Sequence, residues 1–260
     1  MKFLQISDIH LVPEGELLYG LDPGARLAAC IDDINRHHGD AEFAIITGDL
    51  AHTGNPHAYA RLRGMLGELA MPYHLLIGNH DSRENFRAAF PERPVDADGF
   101  VQFTLAASFG RIVALDTNVP GQPYGAFCAK RCAWLARTLD AAGETPVYLF
   151  MHHPPMRVGL KRMDVIGLRD ADAFAKVIAG RRNIRHLFFG HLHRLLSGCW
   201  HGVPFANLPG TSHQVALDFV TENRVPGSHE PPAYAVVLAE PDATLVHLRN
   251  FLDRTNTFLL

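Results

Sequence analysis

Short apolar runs alternate along the chain with segments whose apolar residues recur every three or four positions. Phe3 to Ile6, Phe43 to Ile46, Tyr73 to Ile77, Val147 to Met151 and Ile184 to Phe189 read as buried strands. Between them, Leu27, Cys30, Ile31 and Ile34 fall on one face of a helix. Tyr59, Leu62, Met65, Leu66 and Leu69 do the same, and further helices are predicted over Lys130 to Leu139 and Ala171 to Ile178. Phe100 to Leu105, Ile112 to Leu115, Val203 to Ala206, Ala235 to Leu238 and Leu245 to Leu248 add strands. Thr221 to Pro232, rich in Pro, Gly and charge, is predicted as a loop. The βαβα order with extra strands predicts a layered α/β fold, in which function collects at the carboxyl ends of strands. No repeat or low-complexity linker divides the chain, so residues 1–260 are read as one domain.

Composition narrows the class. The 260 residues are 47% hydrophobic and 20% charged, enough for a substantial core. A net charge of -3 gives no global field for nucleic acid. No run approaches the roughly 18 apolar residues of a membrane span, and the N-terminus lacks the apolar region of a secretory signal. A cytoplasmic protein with no membrane partner is therefore expected. Cys30, Cys128, Cys132 and Cys199 show no C-x-x-C spacing, so reduced thiols are expected, with the Cys128/Cys132 pair open to an interface role. Histidine is the anomaly: there are sixteen.

Those histidines cluster where strands end. The predicted strands run into Ser7-Asp8-Ile9-His10, Thr47-Gly48-Asp49, Gly78-Asn79-His80-Asp81, His152-His153-Pro154-Pro155 and Gly190-His191-Leu192-His193. One such ending means little; five on one edge of one sheet would make a site. Imidazole, carboxylate and amide oxygen together suit Mn, Fe, Co or Zn. Asp8, His10, Asp49, Asn79, His152, His191 and His193 are too many donors for one ion that keeps a position open. Two divalent or mixed-valence ions sharing a carboxylate, about 3.5–4 Å apart, fit the number better.

The set D-x-H, G-D, G-N-H-D, H, G-H-x-H, in order from Asp8 to His193, resembles the calcineurin-like metallophosphoesterases. The resemblance implies a four-layer αββα sandwich with two mixed sheets flanked by helices, and residues 195–260 completing the second sheet and open to an oligomer interface. It implies that Asp8, His10 and His193 bind one ion, that Asn79, His152 and His191 bind the other, and that Asp49 bridges them. It implies that His80 acts on the substrate, with Asp81 orienting it. The stretches "GELLYGLDPGARL", "GDLAHTG", "FMHHPPMRVGLKRMD" and "LPGTSHQV" look like the cyclic-nucleotide phosphodiesterases and glycerophosphodiesterases of this class. His213 matches a histidine near the substrate pocket of the latter, and a surface-loop histidine is an equal reading. His52 stands where the purple acid phosphatases carry tyrosine, which argues against a ferric tyrosinate site.

The expected activity is hydrolysis of small phosphodiesters, glycerophosphodiesters or cyclic nucleotides, through water activated by two ions, in a homo-oligomer. A charge count agrees: two divalent ions, Asp8, Asp49 and a hydroxide leave a residual +1, which a diester monoanion neutralises. The alternatives are a phosphomonoesterase, a nuclease and a non-catalytic scaffold. A nuclease needs a basic or aromatic groove, and 24 Lys and Arg against 27 acids offer none. A scaffold would show replaced donors, whereas all seven are present.

Overall fold

The computed structural model describes residues 1–255 and 258. Its first third is β1 (Lys2–Ile6), α1 (Pro23–His38), β2 (Ala44–Thr47), α2 (Pro56–Leu66), β3 (Tyr73–Leu76) and α3 (Arg83–Ala89). Then come β4 (Phe103–Ala107), β5 (Gly110–Ala114), α4 (Ala129–Ala142), β6 (Val147–Phe150), α5 (Lys161–Val165), α6 (Ala171–Ile178) and β7 (Ile184–Phe189). The chain continues with β8 (Leu196–Trp200), β9 (Val203–Asn207), β10 (Gln214–Val215), β11 (Gly227–Ser228), β12 (Tyr234–Ala239) and β13 (Thr244–Arg249). The sequence signals hold locally. Asp22 and Asn55 cap α1 and α2 by accepting from Gly24 N and His57 N, and each is followed by a proline in the first turn.

Pairing sorts eleven of the strands into two mixed sheets, and β10 and β11 pair antiparallel with each other. One has the order β13-β12-β1-β2-β3, with β1, β2 and β3 parallel and β12 and β13 antiparallel beside them. The other has the order β4-β5-β6-β7-β9-β8, with β5, β6, β7 and β9 parallel and an antiparallel strand at each edge. Strand alternation then builds three apolar layers. Phe3, Phe43, Ile45 and Leu76 meet Ile112, Tyr148, Phe150 and Phe188 between the sheets. The Phe3 ring lies 5.9 Å from Phe150 and 5.8 Å from Phe188, both edge-on. On the opposite face of the first sheet, Leu4, Ile6, Ala44 and Ile46 pack under α1 and α2. Leu149, Leu187 and Phe189 pack under α4 and α6 on the second sheet. Two mixed sheets flanked by helices are thus stacked face to face, as expected.

Two expectations need correction. Residues from 195 onward do not complete one sheet. β8 and β9 extend the second, while β12 and β13 join the first, where β12 covers the β1 edge that would otherwise be unpaired. The strand expected from Phe100 begins at Phe103. Asp96 accepts from Phe100 N at 2.9 Å and closes a turn there, and Arg131 lies over the Phe100 ring at 4.3 Å. All four thiols are free. No helix among the described residues is long and apolar enough to cross a membrane.

Candidate dinuclear metal centre

The donors come from strand ends of both sheets, not from one edge of one sheet. β1, β2 and β3 deliver Asp8, His10, Asp49 and Asn79; β6 and β7 deliver His152, His191 and His193. The loops leaving β1 and β2 run side by side, with Asp8 N donating to Gly48 O at 3.2 Å and His10 N to Asp49 O at 2.8 Å. Five of the seven donors take left-handed backbone: Asp8 (φ 52°), His10 (48°), Asp49 (50°), His191 (70°) and His193 (46°). Each such residue costs about 1–3 kcal/mol and persists only where its surroundings enforce it. Gly78 is required for another reason. A Cβ there would lie 2.2 Å from Asp49 Oδ1 and 2.6 Å from His152 Nε2.

All seven expected donors meet. Asp49 Oδ2 lies 3.4 Å from His10 Nε2 and 3.4 Å from His152 Nε2. Asp8 Oδ1 lies 3.4 Å from His193 Nε2, which is 3.0 Å from His10 Nε2. Asn79 Oδ1 lies 3.2 Å from His152 Nε2 and 2.9 Å from His191 Nδ1. One donor atom each from Asp8, His10, Asp49 and His193 fits within 4.8 Å. Main-chain oxygens set two tautomers, because a carbonyl only accepts. His152 Nδ1 donates to Thr47 O at 2.8 Å and His193 Nδ1 to His213 O at 2.8 Å, which leaves both Nε2 lone pairs facing the centre.

The set fits cations. Asp8 Oδ2 and His191 Nε2 are buried without a hydrogen-bond partner among the described residues. Facing imidazole nitrogens at 3.0 Å repel unless a proton or a cation lies between them. Without ions, burial pushes His10 and His191 well below the ordinary imidazole range, against the pull of Asp49. Burial is the largest influence on His152 and acts to lower it, but Asp49, Asp8 and the Thr47 carbonyl together hold that imidazole up at about 9. His/Asp clusters of this kind could hold metals.

The site opens into a cavity of about 600 Å³ whose wall includes Tyr19, His52, His80, Arg162, Met163 and His213. His80 donates from Nδ1 to His52 O at 2.6 Å, and its main-chain N donates to Asp49 Oδ1 at 2.9 Å. The His80 ring donates its hydrogen bond to a main-chain oxygen, and the Asp81 carboxylate is engaged elsewhere. It accepts from Leu50 N, Ala51 N, Gly78 N and Tyr59 Oη at 3.1, 3.0, 2.8 and 2.8 Å, and so ties the β2 and β3 loops together. His213 lies in the wall, 4.7 Å from the His193 ring, and burial followed by that neighbour's charge pushes it down to about 3.

Five residues at the site have no role assigned by the sequence pattern. His52 faces His10 across 3.2 Å between their Nδ1 atoms. His153 is buried beside His152 and His191, with Nδ1 2.8 Å from Thr117 Oγ1. Asn118 donates to Gly78 O at 2.7 Å and holds the β3 loop from the second sheet's side. Arg162 and Met163 belong to a five-residue helix too short to show a period.

Stacked mixed sheets that pool Asp, Asn and His donors around a shared carboxylate define a dimetal hydrolase architecture. The calcineurin-like phosphoesterase family model matches residues 1–195. The chain belongs to that family. It is 47% identical over 255 residues to a probable cyclic nucleotide phosphodiesterase of Rhodopseudomonas palustris, covering 97% of this chain and 93% of the relative. It is 30% identical over 236 residues to a probable glycerophosphodiester phosphodiesterase of Arcobacter nitrofigilis, covering 90% and 86%. The fold matches a dimetal phosphatase crystal structure from Danio rerio at a TM-score of 0.74, with 14% identity over 97% of this chain and 96% of that one.

Proposed function

We propose that the protein is a metal-dependent phosphodiesterase acting on small diesters, cyclic nucleotides or glycerophosphodiesters. One observation carries the reading. The Asp49 carboxylate sits between His10 and His152, at 3.4 Å from an imidazole nitrogen of each. In this reading Asp8, His10 and His193 hold one ion, Asn79, His152 and His191 the other, and Asp49 reaches both. The mixed nitrogen and oxygen donors suit Mn, Fe, Co or Zn. When bound, the pair supplies Lewis acidity toward phosphoryl oxygens and a water nucleophile available near neutral pH.

The chain's own side chains do the rest. The carbonyl of His52 fixes the His80 ring so that Nε2 is free toward the cavity. There it hydrogen-bonds a non-bridging oxygen and, when protonated, gives its proton to the departing alkoxide. General acid catalysis of this kind is worth about 10²–10⁴-fold. The rings of Tyr19 and His213, 4.7 Å apart and edge-on, form one part of the wall.

The test is a diester panel after reconstitution with each candidate metal, alongside metal analysis. The panel is 3′,5′-cAMP, 2′,3′-cAMP, glycerophosphoethanolamine and bis-p-nitrophenyl phosphate. Diester hydrolysis that tracks a content near two ions per chain is expected. Faster turnover of a monoester with a matched leaving group, or no diester turnover with any metal, overturns the reading.

A further inference from the structure

We infer that Arg162 is a specificity residue that turns the cavity toward cyclic purine nucleotides and away from diesters bearing a cationic substituent. This rests on the diesterase reading above. Arg162 lies half-buried in the cavity wall and makes no hydrogen bond or ion pair with any described residue. Its neighbours on α5 are spoken for. Lys161 bonds Glu222 at 2.7 Å, and Asp164 accepts from Val158 N at 2.6 Å and faces Arg157 at 3.5 Å. Met163 is buried in the core of the second sheet and anchors the short helix, which fixes the main chain from which Arg162 reaches the cavity wall.

The rest of the wall decides what that guanidinium can meet. Among the described residues, Asp49 is the sole carboxylate lining the cavity, and it belongs to the metal set. An ethanolamine or choline group would therefore bring a cation into a wall that offers an unpaired cation and no spare acid. Met163, Ile166, Val215 and Val225 supply an apolar surface beside Arg162. A flat base suits that surface, and a purine edge presents the ring-nitrogen and carbonyl acceptors that a planar guanidinium reads in pairs. Guanine offers both acceptors. The cavity volume of about 600 Å³ lies within the range of small-ligand sites.

The experiment compares kcat/KM for 3′,5′-cGMP with that for glycerophosphoethanolamine in the wild type, Arg162→Glu, Arg162→Met and Arg162→Lys, all loaded with the same metal. Calorimetric titration with 5′-GMP supplies a readout independent of turnover. The wild type is expected to prefer the cyclic nucleotide. Arg162→Glu is expected to lower the ratio by about tenfold or more, mostly through KM, and to weaken 5′-GMP binding to a similar degree. Arg162→Lys keeps the charge without the planar fork, so its kcat/KM for the cyclic nucleotide falls while that for the ammonium substrate stays near the wild-type value. Should Arg162→Glu fail to fold, Arg162→Met reads the same ratio, with a fall of about fivefold expected. A wild type that prefers glycerophosphoethanolamine, or a ratio within about twofold of wild type in Arg162→Glu or Arg162→Met, overturns the inference. If the wild type hydrolyses bis-p-nitrophenyl phosphate, such a result leaves the diesterase reading standing; if it does not, that reading is what has failed.

Discussion

His80 Nδ1 lies 2.6 Å from the main-chain oxygen of His52. This contact, with no carboxylate involved, aims the imidazole. His80→Ala removes the ring but leaves the seven proposed donors in place. Turnover of a diester is expected to fall about 10²–10⁴-fold while metal content stays near that of the wild type. Elemental analysis beside steady-state rates checks this. If metal content falls as far as the rate, His80 is holding the ions and its assigned role is wrong.

Asp81 gives the complementary case. Its carboxylate accepts three main-chain N–H bonds and the Tyr59 hydroxyl, all buried. Asp81→Ala leaves those donors unpaired, and each buried orphan costs about 1–3 kcal/mol. The expected result is a thermal midpoint lowered by many degrees, with metal content and rate falling together as the β2 and β3 loops separate. An unchanged midpoint with a lower kcat alone would return Asp81 to the role of orienting His80.

Asp49→Ala removes the one carboxylate within 3.4 Å of both imidazole sets. Metal loading and activity should disappear together, whichever metal is supplied. Gly78→Ala tests the same point by steric means, since its Cβ would fall 2.2 Å from Asp49 Oδ1. It should lose metal even though every donor remains. A Gly78→Ala protein with full metal content and wild-type turnover would show that the close packing around Asp49 is not what holds the site.

Much of this site could be read before any coordinates, because each donor follows a buried apolar run and the periodicity marks where the run stops. What could not be read was which strands lie beside one another. β1 pairs with β12, whose register sets Phe3 opposite Val237, and β7 pairs with β9 past β8. Apolar alternation says that a strand has two faces but does not name its neighbour. So the five endings were assigned to one sheet when two supply them. The hydrogen bonds of Asp81 are hidden from the sequence for a similar reason. Its partners Leu50 and Ala51 are main-chain groups 31 and 30 residues away, and a main-chain N–H leaves no trace in side-chain identity. Arg162 carries no signal of its own in the sequence, since nothing in a five-residue helix marks which side chain meets the cavity.

Away from the metal centre, the layer between the sheets holds a pH-dependent contribution to stability. His186 is buried on β7 with its ring stacked 4.3 Å from Phe188, and its Nε2 has no partner among the described residues. Burial pushes it down to about 4. His74 on β3, edge-on to Phe43 at 5.5 Å, is likewise pushed down to about 4 by burial and then by the Arg93 charge. Both are therefore neutral when folded, while an unfolded chain takes up protons below about 6.5. The unfolded state binds more protons between roughly pH 6.5 and 4, so stability is full above that window and is lost as pH falls through it. For His186 the loss between pH 7.5 and pH 5 is about 2 kcal/mol. His74 contributes less, being partly exposed. Urea unfolding of metal-free wild type and His186→Phe at the two pH values isolates this from the site histidines, which titrate in both proteins. The variant should lose about 2 kcal/mol less than the wild type on acidification, and at pH 7.5 it should be no less stable, because phenylalanine removes an unpaired buried nitrogen. Equal losses in the two proteins would mean that the His186 ring is already solvated in the folded state.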